Sequence, residues 1–244
     1  RERVGHSEFR FKRFTVNQQH CAMKVGTDGT LLGAWCRVLP EDKLALDIGT
    51  GTGLIALMLA QRHPSCSIVA VECDESSCRQ AAENIAASEW NDRIKTVCDT
   101  IQKFAVNTEY RDKFDNIVSN PPYFSNSLLS PDTRRTAARH TIGLTFQELA
   151  ECASRLLSDH GRFSVIIPES ESEKMILAAA EFSLFPARQT SVKTTPGSEA
   201  KRRLLEFSKN IGTCIYDCLT IETEQCGIFS EQYISLTKDF YLKF

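Results

Sequence analysis

Asn120-Pro121-Pro122-Tyr123 places a side-chain amide, a main-chain carbonyl on a stiff backbone and an aromatic ring within four residues. That set suits a planar amine. An exocyclic amino group on an aromatic ring is a poor nucleophile, because its lone pair is delocalised into the ring. The Asn120 side-chain oxygen and the Pro121 carbonyl can each accept one of its N–H groups. Together they favour a pyramidal nitrogen and aim its lone pair outward. Pro121 and Pro122 lock the backbone that presents these acceptors. Tyr123 offers a face for stacking, worth roughly 1–3 kcal/mol.

A second constellation lies upstream, in Leu46-Asp47-Ile48-Gly49-Thr50-Gly51-Thr52-Gly53. Gly49, Gly51 and Gly53 permit a tight turn and a close backbone approach to a ligand at a helix N-terminus. A dinucleotide fingerprint, GxGxxG, needs its third glycine at position 54, which is Leu54. The spacing here is GxGxG, which disfavours a nicotinamide dehydrogenase. Asp47 stands two residues before the first glycine, where a carboxylate repels a pyrophosphate and suits a cation. S-adenosylmethionine carries both a sulfonium and an α-ammonium. Its methyl is already activated, so no strong base is required and positioning supplies most of the catalysis. Glu72 lies 23 residues after Gly49, placed to accept hydrogen bonds from both ribose hydroxyls. Asp99 can accept from an adenine amino group.

The elements that must hold these residues alternate. Strands are expected at Leu44–Ile48, Ser67–Val71, Ile94–Cys98, Phe114–Val118 and Phe163–Ile167, each ending at one of the polar residues above or leading to a helix. Helices are expected at Leu54–Arg62, Glu75–Ser88, Leu144–Leu157 and Lys174–Phe182. Further strands are expected at Ala187–Val192, Arg203–Phe207 and Cys214–Ile221, and a terminal helix at Ser230–Leu236. Strands separated by helices imply a parallel α/β sheet with right-handed crossovers. The acids at successive strand ends then point into one crevice. Residues 1–40 read as an N-terminal extension and cofactor lid, and 41–244 as the catalytic domain.

With the glycine loop, Asp47, Glu72 and Asp99 in this order, the chain resembles the class I, Rossmann-like methyltransferases. That resemblance implies a seven-stranded, mostly parallel sheet with helices on both faces and its last strand antiparallel. The Asn-Pro-Pro-Tyr motif resembles that of enzymes methylating adenine N6, cytosine N4 or glutamine amide nitrogen, and does not choose among them. The stretch CAMKVGTDGTLLGAW at 21–35, NPPYF at 120–124, KRRLLE at 201–206 and LTKDFY at 236–241 are similar to the bacterial tRNA(Val) adenine-N6 methyltransferases over nearly the whole chain. This implies tRNA as the partner and the adenine 3′ of the anticodon as the target. It further implies that residues 24–29 form a lid, with Lys24, Thr27 and Asp28 beside the cofactor. The competing reading is a release-factor type glutamine-N5 methyltransferase. Such enzymes typically carry a separate helical domain first, and the glycine loop at residue 49 leaves no room for one. A non-catalytic tRNA chaperone on the same fold is disfavoured by the intact Asn120 and Asp47.

Three basic clusters bear on the acceptor: Arg10, Lys12 and Arg13, interleaved with Phe9, Phe11 and Phe14; Arg134, Arg135 and Arg139, followed by His140; and Lys201, Arg202 and Arg203. Cations beside aromatics suit single-stranded RNA loops with splayed bases. The net charge of −2 over 244 residues argues against non-specific coating of nucleic acid, not against a local basic surface. The 10 cysteines show no CxxC spacing, so no metal is expected, and their lack of pattern argues against export. A cytoplasmic monomer without a membrane span is the expectation.

Overall fold

The computed structural model describes residues 7–21, 23–122 and 144–244. A short hairpin of β1 (Glu8–Arg10) and β2 (Thr15–Asn17) precedes α1 (Thr27–Trp35). The alternation expected from the sequence follows. It runs β3 (Leu44–Ile48), α2 (Leu54–Arg62), β4 (Ser67–Glu72), α3 (Glu75–Ala86), β5 (Ile94–Cys98), α4 (Ile101–Ala105) and β6 (Phe114–Ser119). After residue 143 come α5 (Phe146–Leu156), β7 (Leu157–Pro168), α6 (Ser172–Glu181), β8 (Phe185–Lys193), β9 (Ala200–Ser208), β10 (Ile215–Thr220) and α7 (Glu231–Thr237).

Side-chain oxygens fix several helix starts. Asp74 accepts from Ser77 N–H at α3, Thr100 from Lys103 N–H at α4, and Ser230 from Tyr233 N–H at α7. At α5, Thr145 and Glu148 satisfy each other's backbone N–H groups in a capping box.

Strands β3 to β10 form one sheet in the order β10-β8-β9-β7-β6-β3-β4-β5. The sheet therefore has eight strands, not seven. The additional strand is β10, which pairs parallel to β8 from Ile215↔Arg188 to Thr220↔Lys193 and so covers an otherwise open edge. The antiparallel strand is β9, between β7 and β8, and not the last strand of the chain.

Neighbouring residues on a strand serve opposite faces. Ala45, Ile68 and Ala70 pack with α1, α2 and the terminal aromatics, whereas Leu46, Ile48, Val69 and Val71 pack with α4, α5 and α6. Helices thus cover both faces. The N-terminal segment joins the first of these cores: Phe11, Phe14 and Val16 are buried in it, and Phe11 bridges to Tyr241.

The chain leaves β3 for β4 and β5 on one side, then returns to β6 on the other. This reversal opens a crevice at the carboxyl ends of β3 and β6, the usual ligand site of such sheets. The glycine loop follows β3, and Asn120 follows β6.

Candidate active site

The glycine loop takes backbone angles that favour glycine. Gly49, Gly51 and Gly53 have φ of 69°, 57° and 85°. A Cβ at Gly49 or Gly51 would meet nothing within 4 Å, so the loop backbone faces open space there. Gly49 and Thr50 donate their N–H groups to Val71 O at 2.9 and 3.0 Å, and Gly51 N–H donates to Glu72 Oε2 at 2.9 Å. The other Glu72 oxygen accepts from Asp74 N–H at 3.0 Å.

Asp47 is enclosed beneath this loop, only 1% exposed. Its Oδ2 accepts from the Thr50 hydroxyl at 2.6 Å and from Ala56 N–H at 3.2 Å. Its Oδ1 is buried and accepts no hydrogen bond among the described residues. Burial pushes this carboxyl up to about 7, against the two hydrogen bonds, and the Glu72 charge adds to the rise. A buried carboxylate with one unmet oxygen and an open glycine cradle above it fits a cationic ligand. Asp99 Oδ1 accepts from Thr100 N–H at 2.8 Å, and its own N–H donates to Glu72 O at 3.1 Å, so the second and third strand ends meet.

A segment that the sequence marks only as a lid is tied across this crevice by side chains. Asn84, buried on α3, accepts from Asn17 N–H at 2.9 Å and donates to both Asn17 O and Thr52 O, at 2.9 and 2.8 Å. It thereby joins β2 to the glycine loop. Ser76 holds His20 O at 3.1 Å, and Gln18 Oε1 accepts from Val25 N–H at 2.8 Å. Cys21 lies against Ser77, near the Glu72 and Asp74 charges, and burial raises its thiol pKa. Lys24 and Thr27 are exposed, and Asp28 accepts from Arg202 Nε at 2.9 Å. Sequence reasoning missed Asn84. The available signal was a polar residue on the buried face of an amphipathic helix.

Asn120 follows β6 directly beside the loop, because Ser119 Oγ donates to Ile48 O at 3.0 Å. Asn120 Oδ1 is buried and accepts no hydrogen bond among the described residues. A Cβ at Gly29 would stand 3.1 Å from Leu54 Cδ2 and 3.9 Å from Asn120 Nδ2, so the first turn of α1 closes over Asn120. Pro121 is buried and Pro122 exposed. Tyr123, Arg134, Arg135, Arg139 and His140 lie outside the described residues.

The other basic clusters divide by what they touch. Arg10 pairs with Glu8, and Arg13 pairs with Glu89 while covering the Trp90 ring at 5.2 Å. Lys12 Nζ donates to Lys238 O and Phe244 O, both at 2.6 Å, and pins the chain's end. Phe11 and Phe14 are core residues, 4% and 7% exposed, so neither presents a face to a base. Arg203 forks onto Glu169 and also donates to Gln189, whereas Lys201 is exposed beside Arg202.

The Methyltransferase small domain family matches residues 30–184. A protein of Phocaeicola vulgatus named tRNA1(Val) (adenine(37)-N6)-methyltransferase is 50% identical over 96% of this chain and 97% of its own. One of the same name from Aeromonas hydrophila is 43% identical over 98% of both chains. Among solved structures, a predicted O-methyltransferase from Agrobacterium tumefaciens aligns with a TM-score of 0.72 at 18% identity, covering 87% of this chain and 96% of that one. M. jannaschii TYW2 in complex with AdoMet aligns at 0.56 and 13% identity, covering 84% and 87%. The fold and the crevice define a class I methyltransferase that uses S-adenosylmethionine. Within that class the chain belongs to the Methyltransferase small domain family, and in it to the tRNA1(Val) (adenine(37)-N6)-methyltransferases.

Proposed function

We propose that this enzyme methylates the exocyclic N6 of an adenine in tRNA, adenine 37 of tRNA1(Val), as its relatives' names state. The observation that carries the reading is Asn120. Its buried Oδ1 accepts no hydrogen bond among the described residues, and it follows a strand tied by Ser119 to the start of the glycine loop.

Residues 49–53, Glu72 and Asp99 are the cofactor's cradle, with Asp47 bracing the loop beneath. Lys24, Thr27 and Asp28 belong to the segment that closes over it. When bound, S-adenosylmethionine supplies a methyl group made electrophilic by sulfonium. The Asn120 oxygen and the Pro121 carbonyl hold the two N–H groups of the adenine amine, and Tyr123 stacks on the base. The target must leave its stack to reach them, which costs a few kcal/mol and less in a loop than in a duplex. The three basic clusters are candidates for phosphate contacts. The internal partners of Arg10, Lys12, Arg13, Arg202 and Arg203 favour Lys201, among the described residues, for that task.

Incubation with labelled S-adenosylmethionine and either tRNA or a release factor tests the reading. N6-methyladenosine in the tRNA supports it. Label in a glutamine of the release factor, with none in tRNA, overturns it.

A further inference from the structure

A cleft of about 570 Å³ opens at the carboxyl edge of the sheet, between the first turn of α1, the β8–β9 hairpin and the C-terminal tail. Its size is that of a small-ligand site. Thr27 and Asp28 line it, and the next residue, Gly29, packs against Leu54 and Asn120. One turn of helix therefore borders both the cleft and the site of the target base.

The cleft is cationic in a chain whose net charge is −2. Lys193, Lys201, Arg202 and Lys243 line it, against Asp28 and Glu222. Asp28 is paired with Arg202, and Glu222 accepts from Gly227 N–H at 3.2 Å. Lys243 Nζ is held 3.8 Å from the centre of the Phe229 ring. Lys193 and Lys201 make no side-chain hydrogen bond or ion pair among the described residues. Phe9, Val25 and Ile221, each part-exposed, give the cleft an apolar side. A ligand matching both halves carries negative charge and a flat, weakly polar body. An acidic peptide meets the cations and leaves the apolar wall uncovered, whereas a nucleotide meets both.

We infer that this cleft is a second nucleotide subsite of the substrate RNA. It holds a nucleotide flanking the target adenosine, with its phosphate on Lys193 and Lys201 and its base against the apolar wall. The inference rests on the reading of the enzyme as a tRNA methyltransferase. The strand crosses the first turn of α1, so the same turn that closes over Asn120 registers the neighbouring nucleotide.

The test is the double variant Lys193→Ala/Lys201→Ala, assayed on tRNA and on its anticodon stem-loop. KM for RNA is expected to rise by about tenfold or more at moderate salt, with the salt slope of RNA binding falling by about 0.7 for each lost phosphate contact. Affinity for S-adenosylmethionine is expected to stay at the wild-type value, and Lys193→Arg/Lys201→Arg to restore the slope. Wild-type KM and slope in the alanine variant overturn the inference, whether or not free adenosine monophosphate binds the cleft. The RNA-binding slope is read without turnover. Failure of this subsite is thus distinguished from failure of the wild-type enzyme to methylate tRNA, which would instead sink the functional reading.

Discussion

Gly51 N–H donates to Glu72 Oε2 at 2.9 Å, so the carboxylate expected to take the ribose hydroxyls also fastens the glycine loop to the end of β4. Glu72→Ala removes both roles at once. Charge-assisted bonds of this kind contribute about 1.5–3 kcal/mol each. S-adenosylmethionine affinity is therefore expected to fall by at least about tenfold. Glu72→Gln keeps one oxygen acceptor and is expected to lose less. Titration calorimetry on the folded variants measures both, and unaltered affinity in Glu72→Ala removes Glu72 from the site.

Asp47 is expected to make cofactor binding depend on pH. Its carboxyl titrates at about 7 in the folded chain, raised from 3.8 chiefly by burial. Between those two values the unfolded chain has lost this proton and the folded chain keeps it. Asp47 therefore favours the folded state below 3.8, and this contribution is lost as pH rises towards 7. A cationic ligand near the loop favours the ionised form, so binding below pH 7 must release a proton. Affinity for S-adenosylmethionine is expected to rise from pH 5.5 to about pH 7 and then level off. Asp47→Asn should flatten that profile. Calorimetry in two buffers of different ionisation enthalpy counts the proton, and zero release at pH 6 would refute the assignment.

Gly161 supplies a test of the frame apart from the chemistry. A Cβ there would stand 2.7 Å from Phe114 O and 2.6 Å from Leu157 Cδ1, where the β6–β7 register shifts between Phe114 and Asn116. The backbone oxygen cannot move aside as a flexible side chain does. Gly161→Ala is expected to cost about 1–3 kcal/mol, as overpacking does. Thermal or urea unfolding reports it, and wild-type stability would show that the two strands separate easily.

The glycine loop, the acids at the strand ends and Asn120 were legible in the sequence because each follows an apolar run long enough to read as a strand. β1 and β2 were not, since three residues show no periodicity, and neither was α4, which has five. The resemblance to a seven-stranded family did not provide for β10, although the strand expected at Cys214–Ile221 falls on it. Charge clusters were the least legible. Arg13 and Arg203 read as free cations by composition, yet Glu89 and Glu169, distant in sequence, stand beside them. The tether made by Asn84 is hidden for the same reason, since its partners Asn17 and Thr52 come together only in the fold.

Asn120 is the residue on which the proposed chemistry turns. Its Oδ1 is buried and without a hydrogen bond among the described residues, just past the strand beside the glycine loop, under the first turn of α1. Leaving a polar atom in that state costs free energy in the resting enzyme. The cost is recovered when an amine N–H reaches it. Asn120→Ala is therefore expected to lower single-turnover methyl transfer by about 100- to 1000-fold, the usual effect of removing one positioned polar partner. S-adenosylmethionine affinity should stay close to normal, because the loop, Asp47 and Glu72 are untouched. Asn120→Asp retains an acceptor oxygen and should keep part of the activity. Nucleoside mass spectrometry of the tRNA product completes the test. Full activity in Asn120→Ala, or a methyl group on a ring nitrogen or a ribose oxygen, would show that the amide does not hold an exocyclic amine.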